Sequence, residues 1–404
     1  MVSTQNSIIY LIAERAKNLD KVKYNYWSKK VEKILKSVEP YVMSVATIDL
    51  GKLSNNYRKV QSELAPGAVV GGVVKANSYG FGAVPISKRL YKEGCRHFFV
   101  ASVDEGLEVR KVLKEDAEIF LLAGILKGCE EICLENNLTP VLNSMYEVDL
   151  WIDFSKKIGR KIKAAIQVDT GMVRNGLSKN DVEKHYQRII DNIDISFVMS
   201  HLACADIVGH YKNEQQLNRF KEILSFFGNN VKASLSATNG IFLGSDYQFD
   251  IVRPGKALYG FSIREDKIGT FEPVMDIYAR IMQLNEIPQG ENIGYGATYT
   301  AERTMRTATI GMGYADGFMR KFAGFGHAFI GDKRVPIVGR ISMDYMVIDV
   351  TDIEDDSCLQ IGKWAALTQS PDYTLEKWAL EMNTLPHEVA CRFGRRVKKI
   401  YIGE

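Results

Sequence analysis

The chain has 404 residues, more than one ordinary core organises, so two domains or one large barrel with an appendage is expected. Hydrophobic residues make up 46% and charged residues 25%, a balance that excludes a disordered or fibrous chain. With 52 basic residues against 49 acidic ones, the formal charge of +3 is too even for a nucleic-acid surface, although a local basic patch can still hold a small anion.

Residues 1–42 read as a helical N-terminal extension. Ile8, Ile9, Leu11 and Ile12 lead it, and Trp27, Val31, Ile34 and Leu35 recur at helical spacing among lysines. Interleaved acidic residues favour a solvated face over a membrane-surface helix. No compact apolar block with a small-residue cleavage site opens the chain, and the longest apolar run, "IFLLAGIL", is far short of the roughly 20 residues a membrane helix needs. Six scattered cysteines, Cys95, Cys129, Cys133, Cys204, Cys358 and Cys391, lack disulfide spacing, and no neighbouring ligand completes a metal set. A reducing, cytoplasmic location with no membrane partner is the expectation.

Residues 43–272 form the next piece. Short branched apolar runs alternate there with helix-length segments: "VVGGVVK", "HFFVA", "EIFLL", "TPVL", "IKAAIQV", "ISFVMS", "VKASLSA" and "FDIVRP". Eight such strands, each followed by helical room, predict an α/β fold built as a (β/α)8 barrel of the TIM type. A doubly wound open sheet would normally carry a Gly-rich turn after its first strand, and G-x-G-x-x-G is absent there. Over 273–404 closely spaced strands with turn signals replace that rhythm, predicting a mostly β C-terminal domain with "GDKR" as a hairpin turn and "TLEKWALEMN" as a helix.

Candidate chemistry gathers at the strand ends. In a βα barrel the carboxyl ends of the strands form the active face, so Lys75, closing the first run in "VVKANSYGFG", points its amine at a shared mouth. An amine partly desolvated there can have a lowered pKa and condense with an aldehyde. Asp169 and Arg174 follow the fifth strand in "VDTGMVRNG", with Arg174 suited to a carboxylate or phenolate. His201 closes the sixth strand, and Arg253 closes the eighth, followed by a Pro-Gly turn whose free N–H groups could meet a phosphate. Taken singly, each of these residues is more often structural. Together they predict a barrel enzyme acting on a small anion.

The segments carry a more specific likeness. "VVKANSYGFG" resembles the pyridoxal-phosphate signature of the alanine racemase family, and "ATIDLGKLSNNYR", "ASVDEGLEVRK", "VDTGMVRNGL", "RPGKALYG", "IGYGATYTAER", "GYADG" and "VGRISMDYMVIDV" resemble that family's segments in the same order. The resemblance implies a pyridoxal 5'-phosphate enzyme in which Lys75 is the Schiff-base lysine and one of two catalytic bases, with Tyr295 the other. Racemisation needs a base on each face of the substrate's Cα, and a tyrosine serves only when positive charge nearby activates it; His201 with Arg253 is the implied relay. By the same resemblance Arg253 faces the pyridine nitrogen, while Tyr79, Thr238, Gly255 and Lys256 match phosphate contacts. Arg174 matches the residue near the cofactor's phenolic oxygen and the substrate carboxylate. Met343 and Tyr295 match residues that enter the partner subunit's site, which implies a homodimer with shared active sites, and Tyr314 and Asp344 match its entrance.

Several residues depart from the family pattern. Gln167 stands where many members have a carbamylated lysine that holds the arginine, so Arg174 is expected to be held more loosely or to need an added anion. Ala237 replaces a usual asparagine, and His387, in "LPHEVACR", a usual tyrosine near the phosphate and substrate. Lys256 stands where an apolar residue is frequent, and Phe81 replaces a histidine or leucine. The expected activity is interconversion of L- and D-alanine, supplying D-alanine for peptidoglycan precursors. Racemisation of serine or lysine, motivated by positions 237 and 387, is the main alternative; a barrel-fold decarboxylase and a cofactor-carrying regulatory protein are the others, and the second domain argues against the last.

Overall fold

The computed structural model describes residues 31–228, 230–264 and 268–403. The first thirty residues of the expected N-terminal helix therefore lie outside the described residues; residues 31–36 are helical. The chain divides into two compact units, neither of them continuous in sequence. One holds Thr47–Met275, Asn383–Arg392 and the residues from Lys399 on. The other holds the described residues up to Ala46 together with Asp276–Met382 and Phe393–Lys398. The stretch after residue 272, which reads as one β piece in the sequence, thus returns twice to the first unit.

That first unit is a parallel barrel. Seven strands pair in chain order: Gly72–Val73, His97–Val100, Glu118–Leu121, Leu138–Leu142, Ile162–Gln167, Ile193–Met199 and Ala233–Ser234. The eighth, Ile251–Val252, pairs in parallel with Val69–Val70, which precedes Gly72–Val73 in the first run. Asp250 donates its N–H to the Ala233 carbonyl at 3.1 Å and Arg253 donates to that of Ser236 at 2.8 Å, joining the eighth strand to the seventh. All eight apolar runs of the sequence contribute a strand, although the last two keep only two residues each. Gly71 falls between the two pieces of the first run, and only glycine fits there, because a Cβ would stand 2.5 Å from the Phe99 ring.

Alternate residues of the strands fill the interior: Val73, Phe99, Phe120, Val141, Phe197 and Ile251 belong to one buried cluster. The Phe120 ring lies 5.1 Å from that of Phe99 and 4.8 Å from that of Phe197, centroid to centroid. Each buried phenylalanine contributes about 1.5–3 kcal/mol through removal from water. The outer helices follow from local signals. Met145–Ile158 buries Val148, Trp151, Ile152 and Ser155 along one face and takes Ser144 as its N-cap, while Lys179–Asn192 opens with a Ser178/Asp181 capping box.

In the second unit the strands run antiparallel. Met305–Ile310, Met346–Asp349, Lys333–Val338, His327–Ile330, Trp364–Ala366 and Met275–Ile287 pair in that order, and Met305–Ile310 also pairs with Met275–Ile287, which closes the ring. Ile330 pairs with Lys333, so the hairpin read from "GDKR" turns on Gly331 and Asp332, with Gly331 at φ 63° as a two-residue hairpin requires. The helix Leu375–Met382 buries Leu375, Trp378 and Met382, and Trp378 meets Phe318 and Phe322 edge-on at 4.9 and 5.2 Å.

Candidate active site at the barrel mouth

Lys75 ends the first barrel strand, and the backbone after it does something unusual. Ala76, Asn77, Ser78 and Tyr79 all adopt left-handed conformations, with φ between 51° and 54°. Such a turn costs about 1–2 kcal/mol per L-residue, so the surroundings must hold it. The Asn77 side chain accepts the Ala83 N–H at 2.7 Å, and the Glu105 carboxylate accepts the Ala76 N–H at 2.7 Å through one oxygen and the Ala101 N–H at 2.7 Å through the other. Glycines then let the chain leave: a Cβ at Gly80 would stand 2.4 Å from the Ala390 carbonyl oxygen.

Four charged or titratable side chains from different strand ends face one another. Lys75 is half-buried, and burial with the positive charges of Arg174 and Arg253 lowers its pKa, while Glu105 opposes the shift. Arg253 is buried and donates to Ser234 Oγ, to the Ser200 carbonyl at 2.7 Å and to the Leu235 carbonyl at 3.4 Å. Burial lowers its pKa too, yet these acceptors and the intrinsic basicity of guanidine keep it charged. His201 Nδ1 lies 3.5 Å from Arg253 Nη2. Burial and then Arg253, Arg174 and Lys75 hold His201 down to about 3, so its ring is neutral and Nδ1 is free to accept from the arginine.

Arg174 stands exposed on the loop after the fifth strand and has no hydrogen-bond partner among the described residues. Asp169 shapes that loop instead of pairing with the arginine: one carboxylate oxygen accepts from the N–H groups of Gly171, Met172 and Val173 at 2.8–3.1 Å. Gln167 is buried and donates to the Asn175 carbonyl at 3.3 Å, so it braces the backbone beside Arg174 and leaves the guanidinium unheld.

The residues matched to phosphate contacts meet around the turn after the eighth strand. Gly255 is required there, because a Cβ would stand 2.3 Å from Tyr79 Oη. Two N–H groups of this turn, expected to be free for a phosphate, are engaged within the protein. Gly255 and Ala257 donate to Thr238 Oγ1 at 3.1 and 3.4 Å, which leaves the threonine's own proton for an outside acceptor. Lys256 Nζ donates to the Ile263 carbonyl at 3.1 Å. A phenol, a hydroxyl with its proton to give and a surplus of positive charge at one glycine turn suit a phosphate ester, and Lys75 within the same mouth suits an aldehyde. The site fits pyridoxal phosphate.

The remaining predicted residues lie in the second unit. Tyr295 stands 70% exposed on a short turn, and a Cβ at the adjoining Gly296 would stand 2.7 Å from Arg340 Nη1. Tyr314 donates its N–H to the Ser342 carbonyl at 3.1 Å and Ala315 to that of Met343 at 3.0 Å, while Asp344 and Asp316 share Arg396 at 2.7 and 3.0 Å. Tyr314, Met343 and Asp344 therefore share two abutting loops.

In the sequence Glu105 is marked only by "SVDE", which has the spacing of a capping box. Ser102 makes no cap bond; the carboxylate serves Ala101 and Ala76 instead. Phe81, which departs from the family pattern, is fully buried against Tyr259 and Phe261, at 4.8 and 6.1 Å between centroids.

Residues 48–263 match the alanine racemase N-terminal domain and residues 274–401 match the alanine racemase C-terminal domain. The chain belongs to the alanine racemase family. Among its relatives, an alanine racemase from Rickettsia africae is 40% identical over 365 residues, covering 89% of this chain and 100% of the relative. One from Brucella ovis is 37% identical over 373 residues, covering 89% and 93%. The crystal structure of alanine racemase from Bartonella henselae with covalently bound pyridoxal phosphate superposes with a TM-score of 0.83 at 38% identity, covering 89% of this chain and 99% of that one. Alanine racemase from Streptomyces coelicolor gives 0.84 at 27% identity, covering 90% and 99%. Family membership and the barrel mouth thus point to the same cofactor.

Proposed function

We propose that this protein interconverts L- and D-alanine with pyridoxal phosphate as cofactor, using Lys75 and Tyr295 as its acid–base pair. The observation that carries the reading is the Lys75 amine, half-desolvated at the barrel mouth beside Arg174, Arg253 and a neutral His201, in a chain of the alanine racemase family. Pyridoxal phosphate, when bound, supplies the carbonyl that Lys75 holds covalently and the ring that makes the amino acid's Cα–H acidic. Tyr79 Oη and Thr238 Oγ1 anchor the phosphate at the Gly255 turn, with Lys256 beside them. Arg253 meets the pyridine nitrogen as a fixed positive charge with no proton to give, which restrains side reactions that need a protonated ring.

Lys75 Nζ has its pKa lowered by burial and cations, so it passes a proton readily to and from one face of Cα. Tyr295 Oη serves the opposite face, and the Arg253 guanidinium, with the neutral His201 ring beside it at 3.5 Å, provides the positive charge the phenolate needs. Arg174, held by no side chain among the described residues, takes the substrate carboxylate. Tyr295 and Met343 complete the partner subunit's site in a homodimer, and Tyr314 and Asp344 line its entrance. We assign the reaction to the cytoplasm, where all six cysteines remain free thiols and the product feeds peptidoglycan precursors. No helix among the described residues is long and apolar enough to cross a membrane.

Incubation of either alanine enantiomer in deuterated water tests the reaction. Loss of optical activity together with deuterium at Cα is expected, with alanine preferred over serine and lysine; carbon dioxide release, or turnover with no preference for alanine, would overturn the reading.

A further inference from the structure

The short helix Pro386–Cys391 brings His387 against the same cradle. Its ring meets that of Tyr79 edge-on at 6.0 Å between centroids, and its Nδ1 is buried with no hydrogen-bond partner among the described residues. An unpaired buried polar atom costs about 1–3 kcal/mol. A partner that is not part of the protein would satisfy it. The charged and titratable groups facing His387 are Lys256 from the turn after the eighth strand, Lys75 and Tyr79 from the end of the first, and Glu388 of its own helix. Burial, then Lys256 and Lys75, lower the imidazole's pKa, with Glu388 opposing, so the cofactor-free protein carries His387 neutral near pH 7.

We propose that His387 is a ligand of the cofactor's phosphate and takes up a proton from solvent as that phosphate binds. The proposal rests on Tyr79, Thr238 and Gly255 forming the phosphate cradle. A phosphate dianion beside the ring counters Lys256 and Lys75 and favours the imidazolium, which then donates to it. The sign follows from linkage: the bound state carries one more proton than the free state, so affinity rises as pH falls, by at most about tenfold per pH unit. Cofactor retention in this protein is therefore sensitive to pH through a residue that, as a tyrosine, would not titrate there.

The test uses cofactor-free protein and pyridoxamine 5'-phosphate, which carries the phosphate and has no aldehyde for Lys75, with binding read by fluorescence near pH 6 and near pH 8. The ratio of wild-type to His387→Gln association constants is expected to rise about three- to tenfold between the higher and the lower pH, and a ratio that stays level overturns the proposal. His387→Tyr keeps an aromatic edge against Tyr79 and is expected to lose the pH dependence as the glutamine variant does; retention of the wild-type slope would place the proton elsewhere and overturn it. Pyridoxamine without its phosphate is expected to show no change of ratio, and a change there would exclude the phosphate as the partner. Thr238→Val checks the underlying reading. Unchanged affinity would remove the cradle itself, whereas weakened affinity with a level His387 ratio would overturn the role of His387 alone.

Discussion

Lys75 gains its character from what surrounds it. A lysine ending a strand is ordinarily a solvated cation, and here burial and two arginines favour the neutral amine that can attack a carbonyl. Lys75→Ala is expected to abolish covalent attachment of the cofactor, read as loss of its characteristic absorbance after dialysis, while the protein stays folded. His201 answers to the same field and leaves a signature in stability. A solvated histidine titrates near 6.5, whereas His201 in the folded barrel is held down to about 3. Between those values the unfolded chain binds a proton that the folded chain refuses, so stability is full above about pH 6.5 and falls as pH drops through the window. In urea denaturation of the cofactor-free protein, His201→Gln should flatten that fall by up to about tenfold in the folding constant per pH unit. An unaltered slope would show that His201 does not stay neutral.

At the scale of elements, the left-handed turn from Ala76 to Tyr79 is the least expected feature and the one that aims Lys75. Glu105 holds it, with its carboxylate joining the ends of the first and second strands through Ala76 and Ala101. Hydrogen bonds to a charged acceptor contribute about 1.5–3 kcal/mol each, so Glu105→Ala is expected to cost about 2–4 kcal/mol in denaturant titrations and to push the pKa of Lys75 lower still. No loss of stability would mean that the turn is held by other contacts. The strands themselves were legible because barrel strands buried on both faces read as branched apolar runs, and Lys75, His201 and Arg253 were legible because they close such runs. The left-handed turn was not, because four consecutive non-glycine residues at positive φ follow no local preference and are imposed by tertiary bonds. Gln167 was legible only in part: the missing charge beside Arg174 shows in the sequence, but only the fold shows the amide turned to the Asn175 carbonyl. The return of residues 383–392 to the barrel unit is likewise invisible to periodicity.

At the scale of the whole molecule, the proposed mechanism requires one site to draw on two bases. Lys75 belongs to the barrel unit and Tyr295 to the other. The loops after the third and fifth barrel strands leave Leu126 and Val173 exposed, and the first turns of the helices after the fourth and sixth leave Tyr146 and Tyr211 exposed, with Val173 at 83%. Tyr295, Tyr314 and Met343 are exposed on the second unit. Apolar and aromatic side chains presented to water on both units are what an isologous dimer interface requires, and a homodimer in solution is expected by sedimentation. Tyr295→Phe should slow turnover that starts from L-alanine while leaving the cofactor bound.

Co-expression of differently tagged Lys75→Ala and Tyr295→Phe chains tests the shared site most directly. If each site takes Lys75 from one subunit and Tyr295 from its partner, every mixed dimer holds one site with both bases. Activity then returns to about a quarter of wild type on random mixing, although either variant alone is nearly inactive. If the mixture stays as inactive as its components, Lys75 and Tyr295 do not meet across subunits, and the two-base site proposed here is wrong.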